Sequence, residues 1–552
     1  MIRFFHQRPL RYLFFAVIGF SIAFASYAQT KRSSRKVAPK KAATSSKKAP
    51  TQAKSSTLGE ADFQEAMRLV RAGQYQQAST RLFQLSLSPK YADRRTQLRY
   101  LLGLMLYQMD LNQLSAFQFI SVIRDGNSKF LEDGLEKLSL AADELGDDAL
   151  LNYAIARVKT QSFPAAHKDM LFYRIGEFQV RNQQYAEAQR SLAQIPQNSP
   201  FYDKSQYLKA YSLAASGNPR AAVASFDALL EAKSGSEITD SARVAAIIGK
   251  ARALYQQKEW DAAIETYREV PRDSALWHDT LFEISWAMLR SGKFRSALSQ
   301  FHSLHSPYYE EAYLPESLLL RSIVYLYICQ YDEMDKVLNL FNKIYRPLYK
   351  NIDTYLTSTR NPVAYFNDTI RGIRENNASE DEDMPAKKTS KKVSTPSKLP
   401  ELVIQKVTKE GDFQRSFQYI KKLLEERRRI NSMPASWRTS ALGKYARQTI
   451  DRRLQRARAK AGRQVRAHMI AMRTELIDLF EQEGFIRYEM TNGKKEQLKK
   501  RVAGKELPKA QIDENQDRDF YVQNGYQYWT FRGEYWLDEI GNYHYVGTQS
   551  CE

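Results

Sequence analysis

The sequence predicts an all-α protein whose first two thirds form a solenoid of antiparallel helix pairs. The main observation is a submotif repeated at 34 residues: a small residue, an aromatic or proline nine positions later, alanine three further on, and a large apolar residue four beyond that. Two sets of positions recur in this way: Gly176, Tyr185, Ala188 and Leu192 with Ala210, Pro219, Ala222 and Phe226, and Ala251, Trp260, Ala263 and Tyr267 with Ser285, Phe294, Ala297 and Phe301. Small residues let two helices approach closely, and the large residues fill the groove between them. The stacked pairs are expected to wind into a right-handed superhelix with a concave binding surface.

Weaker copies of the submotif extend the predicted solenoid over residues 59–349. They comprise Gly73, Tyr75, Ala78 and Leu82 in the first repeat, Gly103, Tyr107, Ala116 and Ile120 in the second, and Tyr331, Met334 and Leu338 in the last. Helical periodicity without the motif between Asp125 and Pro164 predicts one divergent helix pair. The pattern resembles the tetratricopeptide repeat (TPR) family, which implies a binding surface rather than a catalyst.

The N-terminal sequence predicts an export signal followed by a basic linker. Residues 1–28 combine a basic start with an apolar run too short to span a bilayer, and they end in Ser26-Tyr27-Ala28, which suits a signal peptidase. An uncleaved anchor is the alternative. Residues 29–58 hold nine basic residues and no acid between Lys31 and Ser56, which predicts a disordered linker. The expected compartment is the periplasm, with no membrane span left after cleavage.

Residues 350–500 are predicted to be helical, with a disordered insertion at 375–399 and one long basic helix at 435–483. An apolar stripe with coiled-coil spacing runs along that helix through Val465, Met469, Met472, Leu476, Leu479 and Ile486. The expected partner is the 402–430 segment, folded back as a helical hairpin; dimerisation is the alternative. Asn431 and Pro434 mark the break between the two helices, because proline cannot continue a helix.

Residues 501–552 form an aromatic tail that is predicted to contain a small β-hairpin. The expected strands are Glu534–Leu537 and Tyr543–Val546, joined through Gly541-Asn542. Because an isolated hairpin is marginal in water, its aromatic face should pack on the helices. Cys329 and Cys551 are the two cysteines of the chain. They form either one disulfide that holds the tail to the solenoid, or two thiols that stay free or bond to another molecule.

The densest charge feature is basic. Between Arg427 and Arg473 the chain has fourteen Lys or Arg residues and one acid, Asp451, in a protein of formal net charge +21. The candidate polyanion-binding residues form a stripe on the long helix: Arg452, Arg456, Arg463 and Arg466. Three hypotheses for this stripe stay open: it binds an acidic partner in the cell envelope, it is a solvated helix face, or it binds nucleic acid. Export and the lack of a nucleic-acid-binding motif disfavour the last.

The candidate protein-binding residues lie on the first helix of each pair, facing the predicted groove: Tyr173, Gln179, Tyr207, Tyr255, Trp286 and Tyr325. No catalytic, cofactor-binding or metal-binding residues are predicted. The chain has no phosphate-binding loop or nucleophile elbow, and His302 and His305 lack a third ligand at matching spacing, whereas zinc needs three or four.

The tail adds a second resemblance. The stretch from Gly533 to Tyr543 is similar to the ends of exported TPR proteins of gliding and predatory Gram-negative bacteria, in which a terminal cysteine follows. The resemblance implies a non-catalytic periplasmic scaffold in a cell-envelope or gliding-motility-type assembly, with other envelope proteins as partners. The alternative is a protein that binds peptidoglycan, an anionic lipid surface or another polyanion through the basic helix and the aromatic tail.

Overall fold

Helices are the only regular secondary structure in the residues that the structure describes. This computed structural model describes residues 56–125, 129–146, 149–150, 152, 168–231, 240–310, 312–380, 397–502 and 533–545. The predicted signal, most of the linker, Val546 and Cys551 lie outside these ranges. The predicted insertion is described only at its ends, since a helix runs to Glu380 and residues 397–400 follow it.

Consecutive helices pack against one another in pairs, as the submotif predicts for a repeat solenoid. The repeat region contains α1 (Ser56–Arg71), α2 (Tyr75–Leu87), α3 (Arg95–Gln108), α4 (Asn112–Arg124), α5 (Leu131–Leu145), α6 (Lys168–Arg181), α7 (Tyr185–Leu192), α8 (Tyr202–Ala215), α9 (Pro219–Glu231), α10 (Asp240–Gln256), α11 (Trp260–Arg268), α12 (Trp277–Arg290), α13 (Phe294–Leu304), α14 (Pro315–Tyr327) and α15 (Tyr331–Ser358). The C-terminal helices are α16 (Pro362–Glu380), α17 (Glu401–Lys409), α18 (Gly411–Ser432), α19 (Ala435–Thr439) and α20 (Ala441–Val502).

One residue with a left-handed backbone follows each of eight helices in the described part of the repeat region. These residues are Gly73, Asp110, Gly146, Gln183, Gly217, Lys258, Gly292 and Cys329, with φ between 54° and 87°. At seven of the turns the next residue donates its N–H to the carbonyl five positions back, as Gln74 does to Leu69 at 3.0 Å and Lys293 does to Met288 at 2.9 Å. This is the Schellman arrangement, which satisfies carbonyls at a helix end. Gly146 lies where the divergent pair was predicted.

The left-handed turns give a stability prediction. Lys258 holds φ of 68°, which is strained for a side chain with a Cβ, whereas Gly292 takes φ of 78° without strain. We expect Lys258→Gly to raise the free energy of unfolding by roughly 0.5–1 kcal/mol and Gly292→Ala to lower it by about 1 kcal/mol. Urea unfolding of both variants checks this. A destabilising Lys258→Gly would show that the lysine side chain makes a contact worth more than the strain.

The small and large positions of the submotif meet as predicted. A Cβ added at Gly176 would lie 2.5 Å from the Leu192 side chain, and one at Gly103 would lie 2.7 Å from Phe119. The alanines of the predicted motif are fully buried: Ala78, Ala116, Ala188, Ala222, Ala263 and Ala297. In the second repeat the large residue is the buried Phe119, one position before the predicted Ile120, which is only half-buried. Phe119 follows Gly103 by sixteen residues, the same spacing as between Gly176 and Leu192, so the small residue and not Tyr107 gives the correct register of this repeat.

The long C-terminal helix begins later and ends later than predicted. The break falls at Met433-Pro434, but the short helix α19 precedes α20, and α20 continues to Val502 instead of 483. The predicted partner segment 402–430 is itself two helices, α17 and α18.

The apolar stripe of α20 packs against α15. Met472 and Leu476 are buried, and the Phe480 ring lies 5.5 Å from that of Phe341. Arg473 donates to Asp353 Oδ1 at 3.0 Å, and Asn342 donates to Glu483 Oε1 at 2.9 Å. A solenoid helix therefore covers this stretch of the stripe, where the sequence predicted the 402–430 segment.

The described chain divides into two compact units. The first unit contains α1–α5 together with residues 418–456, and the second contains α6–α17 together with residues 411–417 and 457–545. In the first unit Trp437 Nε1 donates to Ser79 Oγ at 3.2 Å, so α19 is held on α2. In the second unit His468 and Asp412 lie 2.8 Å apart.

The predicted β-hairpin is wrong for the described part of the tail. Residues 533–545 contain no strand; Leu537–Glu539 form one 3₁₀ turn in the place of the first strand end. The Trp536 N–H donates at 3.0 Å to the side-chain oxygen of Tyr543 rather than to a main-chain partner. Other main-chain groups of the tail bond to side chains of solenoid helices, and these contacts replace a strand ladder. The prediction that the aromatic tail packs on the helices is confirmed for these residues.

Candidate peptide-binding surface

Residues Gly533–Tyr545, here called the tail segment, lie on one surface of the second unit. That surface, the tail site, consists of Arg272, Trp277, Ser299, His302, Ser303, Tyr308 and Tyr325. Three of its side chains project from α13 at positions i, i+3 and i+4, which share one helix face. The others come from the start of α12, from α14 and from the loops that flank α12 and α13. The packing of consecutive helices therefore brings residues that are up to about fifty positions apart in the sequence to one surface.

The tail site holds the main chain of the tail segment at four points. Arg272 Nη1 donates to the Asp538 carbonyl at 2.9 Å, and the Tyr308 hydroxyl donates to the Tyr535 carbonyl at 3.2 Å. The Gly541 N–H donates to Ser303 Oγ at 2.8 Å, and the Tyr545 N–H donates to Ser299 Oγ at 2.9 Å. Main-chain groups exist in every peptide, so these contacts position a segment without depending on its side chains.

Aromatic rings supply contacts that do depend on sequence. The His302 ring stacks on Tyr535 at 5.1 Å between centroids and meets Tyr543 edge-on at 4.8 Å. Tyr325 lies 6.4 Å from Tyr545. Aromatic pairs of this geometry contribute roughly 0.5–1.5 kcal/mol each beyond their buried area. The tail segment is thus recognised through the spacing of its tyrosines.

A bend at Ile540-Gly541 fits the tail segment to the helices. Ile540 is only 2% exposed and is the apolar anchor of the segment. Gly541 has φ of 90°, and a Cβ there would lie 3.0 Å from Trp277, so both backbone conformation and space favour glycine. Asn542 accepts from Arg272 Nη2 at 2.7 Å through its side-chain oxygen. Trp536 and Leu537, by contrast, are 62% and 66% exposed.

Burial and a nearby arginine keep His302 of the tail site, and the neighbouring His305, neutral. Burial, and then the Arg321 guanidinium, lower the pKa of His302 to about 4. The same two causes, in the same order, hold the pKa of His305 well below its usual range. His305 Nε2 lies 2.8 Å from Ser317 Oγ, and Arg321 Nη1 lies 3.3 Å from His305 Nδ1. A neutral His302 ring can stack on tyrosine without bringing a second cation next to Arg321.

The lowered pKa of His302 predicts that acid weakens tail docking. Tyr535 and Tyr543 of the tail segment cover the His302 ring, so undocking removes part of the burial that lowers its pKa, and the pKa rises from about 4 toward the ordinary 6.5. Docking is therefore fully stabilised above about pH 6.5 and loses stability as the pH falls toward 4. Hydrogen exchange of residues 533–545 at pH 7 and pH 5, corrected for intrinsic rates, measures this. We expect faster exchange at pH 5.

A matched variant separates His302 from its neighbours. His302→Phe keeps a ring for Tyr535 but cannot titrate, so it should remove most of the difference between the two pH values. Equal protection of the wild-type tail segment at pH 7 and pH 5 would contradict the assignment. If the pH effect on exchange is equally large in His302→Phe, His305 and not His302 is the group whose protonation weakens docking.

The predicted groove residues lie on α6, α8, α10, α12 and α14, and they divide by burial. Tyr173, Gln179 and Tyr207 are half-buried. The other three are buried: Tyr255 at 6% exposed, Trp286 at 5% and Tyr325 at 4%. Tyr325 alone of the six is in the tail site. The binding role of the set stays a prediction.

The other predicted site residues are not among the seven residues of the tail site. Arg452 and Arg456, one turn apart on α20, are exposed, as are Arg463 and Arg466 farther along the helix. Cys329 occupies the predicted turn before α15; its proposed partner Cys551 lies outside the described residues, so the disulfide stays a prediction. In the parts of the chain that the structure describes, no group of three or more His, Cys, Asp or Glu side chains is placed to hold a metal ion.

A buried charge network in the second unit was missed by sequence reasoning. Arg252 on α10 and Glu283 on α12 form an ion pair whose side chains are 6% and 3% exposed. Arg252 Nε donates to Glu283 Oε2 at 2.8 Å, and the Tyr267 hydroxyl donates to the same oxygen at 2.8 Å. Burial alone would lower the pKa of Arg252, but Glu283 outweighs it and the pKa is raised. Arg and Glu usually mark solvated helix faces, so their residue types gave no signal of burial.

Comparison with known proteins identifies no relative: no protein-family model matches the chain, and no curated protein matches it. Among the helices that are described, none has both the length and the apolar character required to cross a bilayer.

Proposed function

We propose that this chain is a non-catalytic scaffold that binds segments of other proteins. The observation that carries the proposal is the tail site, where solenoid helices hold a non-helical segment by four main-chain hydrogen bonds and a set of aromatic contacts. A solenoid offers an extended surface for such segments. We assign the repeats to the TPR type on the basis of the submotif, its 34-residue spacing and the pairwise helix packing.

The setting of the scaffold is inferred from sequence. The export signal predicted in residues 1–28 supports a periplasmic location, and the tail stretch from Gly533 to Tyr543 resembles exported TPR proteins of gliding and predatory bacteria. We therefore propose other envelope proteins as partners, in a cell-envelope or gliding-motility-type assembly.

Crosslinking in native cells followed by mass spectrometry tests the scaffold function. We expect recovery from the periplasmic fraction with a few reproducible envelope proteins, crosslinked to helices of the repeat region. Recovery from the cytosol with ribosomes or DNA would contradict both export and the scaffold function.

The exposed arginines of α20 support a second candidate, binding of peptidoglycan or another polyanion. Arg463 and Arg466 are exposed three residues apart. If they bind polyanions, the protein should sediment with purified sacculi and be released as salt rises, since exposed charges are screened over about 8–10 Å at physiological ionic strength. Arg463→Glu with Arg466→Glu should weaken sedimentation, while unchanged sedimentation would exclude these residues.

A further inference from the structure

From Ile477 to its end, α20 carries large apolar side chains that point away from the protein. They are Ile477, Phe485, Tyr488, Leu498 and Val502, with exposed fractions of 39%, 73%, 63%, 62% and 83%. At 100° per residue, all five fall within one side of the helix. Single exposed apolar residues are ordinary, but five share one helix face within 26 residues, with the exposed Glu481 and Lys495 between them. We call this the apolar strip.

Contacts on the opposite side of α20 fix the direction in which the strip points. Ile486 and Met490 are 7% and 6% exposed. Arg487 Nη1 donates to Asp335 Oδ1 on α15 at 2.9 Å, and Lys494 Nζ lies 3.1 Å from Asp332 Oδ1. Gly493 lets α20 approach closely, because a Cβ there would lie 2.3 Å from the Tyr331 hydroxyl. The apolar strip is thus presented from a supported helix.

Positive charge surrounds the C-terminal half of the apolar strip. From Thr491 to Val502 the sequence contains Lys494, Lys495, Lys499, Lys500 and Arg501 against one acid, Glu496, which gives a net charge of +4. Lys495 and Lys500 are exposed, whereas Lys499 pairs with Glu496 at 2.7 Å. The combination of aromatic and aliphatic side chains with lysines is typical of helices that lie at the interface of an anionic bilayer.

We propose that the apolar strip docks on an anionic phospholipid surface. From Phe485 to Val502 the strip spans about 25 Å along a straight helix, which suits a flat surface. Apolar side chains would enter the headgroup region while the lysines pair with lipid phosphates; an anionic surface attracts each basic residue by roughly 1 kcal/mol. A second copy fits less well, because two such faces would bring like charges together. This membrane contact is separate from peptide binding at the tail site.

The test uses the full chain and a local readout, since residues 1–55 are themselves basic and partly apolar and would bind vesicles. The photo-crosslinking residue p-benzoylphenylalanine replaces Phe485 in one protein and Leu87, which is 62% exposed on α2, in a matched control. Both are irradiated with vesicles of phosphatidylglycerol and phosphatidylcholine, or of phosphatidylcholine alone. Mass spectrometry then measures the fraction of protein crosslinked to lipid.

We expect lipid adducts at position 485 on the anionic vesicles, with at least about a tenfold lower yield on phosphatidylcholine and a comparably low yield at position 87. Lys495→Glu combined with Lys500→Glu should lower the yield at 485 by roughly tenfold on anionic vesicles. Adducts to a second copy or to an acidic protein in place of lipid would overturn the proposal. Equal lipid yields at positions 485 and 87 would also overturn it.

Discussion

Replacing Glu283 by alanine should destabilise the second unit by about 3–5 kcal/mol, because it leaves the buried Arg252 guanidinium without its carboxylate partner. Both side chains are nearly inaccessible to water, at 6% and 3% exposed. A charge in this position cannot be rehydrated without opening α10 from α12. The Tyr267 hydroxyl loses its acceptor at the same time. Urea unfolding followed by helix circular dichroism measures the loss.

A paired replacement serves as the control. Arg252→Met with Glu283→Leu removes both charges and keeps most of the volume, and buried ion pairs replaced in this way often cost little. We therefore expect the double variant to unfold at a higher urea concentration than Glu283→Ala. Tyr267→Phe should cost about 1.5–3 kcal/mol, as expected for a hydrogen bond to a charged group. A loss below about 1 kcal/mol in Glu283→Ala would contradict burial of the pair.

The second large effect on stability is expected at Glu426, whose carboxyl group caps the N-terminus of α4 in the first unit. Its carboxyl oxygens accept the N–H groups of Gln113 at 2.8 Å and of Leu114 at 3.2 Å. The residue before α4, Leu111, has no side chain that can cap the helix. Glu426→Ala leaves two buried donors unpaired, and we expect it to lower the free energy of unfolding of the first unit by about 2–4 kcal/mol.

The same residue predicts a pH dependence. Burial raises the pKa of Glu426 to about 8, although the two backbone N–H groups act in the opposite direction. Because this pKa lies above the ordinary value of 4.5, the folded state holds its proton longer than the unfolded state. The stability of the first unit should therefore fall as pH rises from about 4.5 to 8.

Glu426→Gln isolates this effect, because it cannot titrate and offers a single oxygen acceptor. Wild type should be the more stable protein at pH 5, and the difference between the two should shrink toward pH 8. The free energy of unfolding of both proteins is measured in parallel at each pH. Because the other titrating groups are the same in both proteins, their contributions cancel in the difference. A difference that is constant between pH 5 and 8 would show that Glu426 is ionised throughout.

Much of the fold was predictable because the repeat is local in sequence. Gly176 and Leu192 are sixteen residues apart, so the residues that pack a helix pair can be read from one window. The turn that ends each first helix was less visible. Asp110, Gln183, Lys258 and Cys329 adopt left-handed backbone there although glycine usually does so. The Schellman hydrogen bonds of these turns and the packing of both helices outweigh that preference.

The tail site was not predictable, because its partners are far apart in the chain. Arg272 and Asn542 are separated by 270 positions. Aromatic residues, Gly541 and Asn542 suggested a hairpin, since their local pattern fits one. The outcome depended on Ser299 and Ser303, whose hydroxyls accept main-chain N–H groups of the tail segment. Serines on a helix give no sequence signal of this role.

The most direct test of the account is whether the tail site binds a free peptide once its own tail segment is released. We would prepare full-length protein with Ile540→Asp, which places a charge at the buried anchor. Binding of a fluorescent peptide of sequence 533–545 would be measured by anisotropy. We expect Ile540→Asp to bind this peptide at least about tenfold more tightly than wild type, whose site is occupied. Adding Arg272→Glu with His302→Ala should abolish that binding. No binding to the Ile540→Asp protein, or unchanged binding after the two site substitutions, would contradict the peptide-binding surface on which the scaffold function rests.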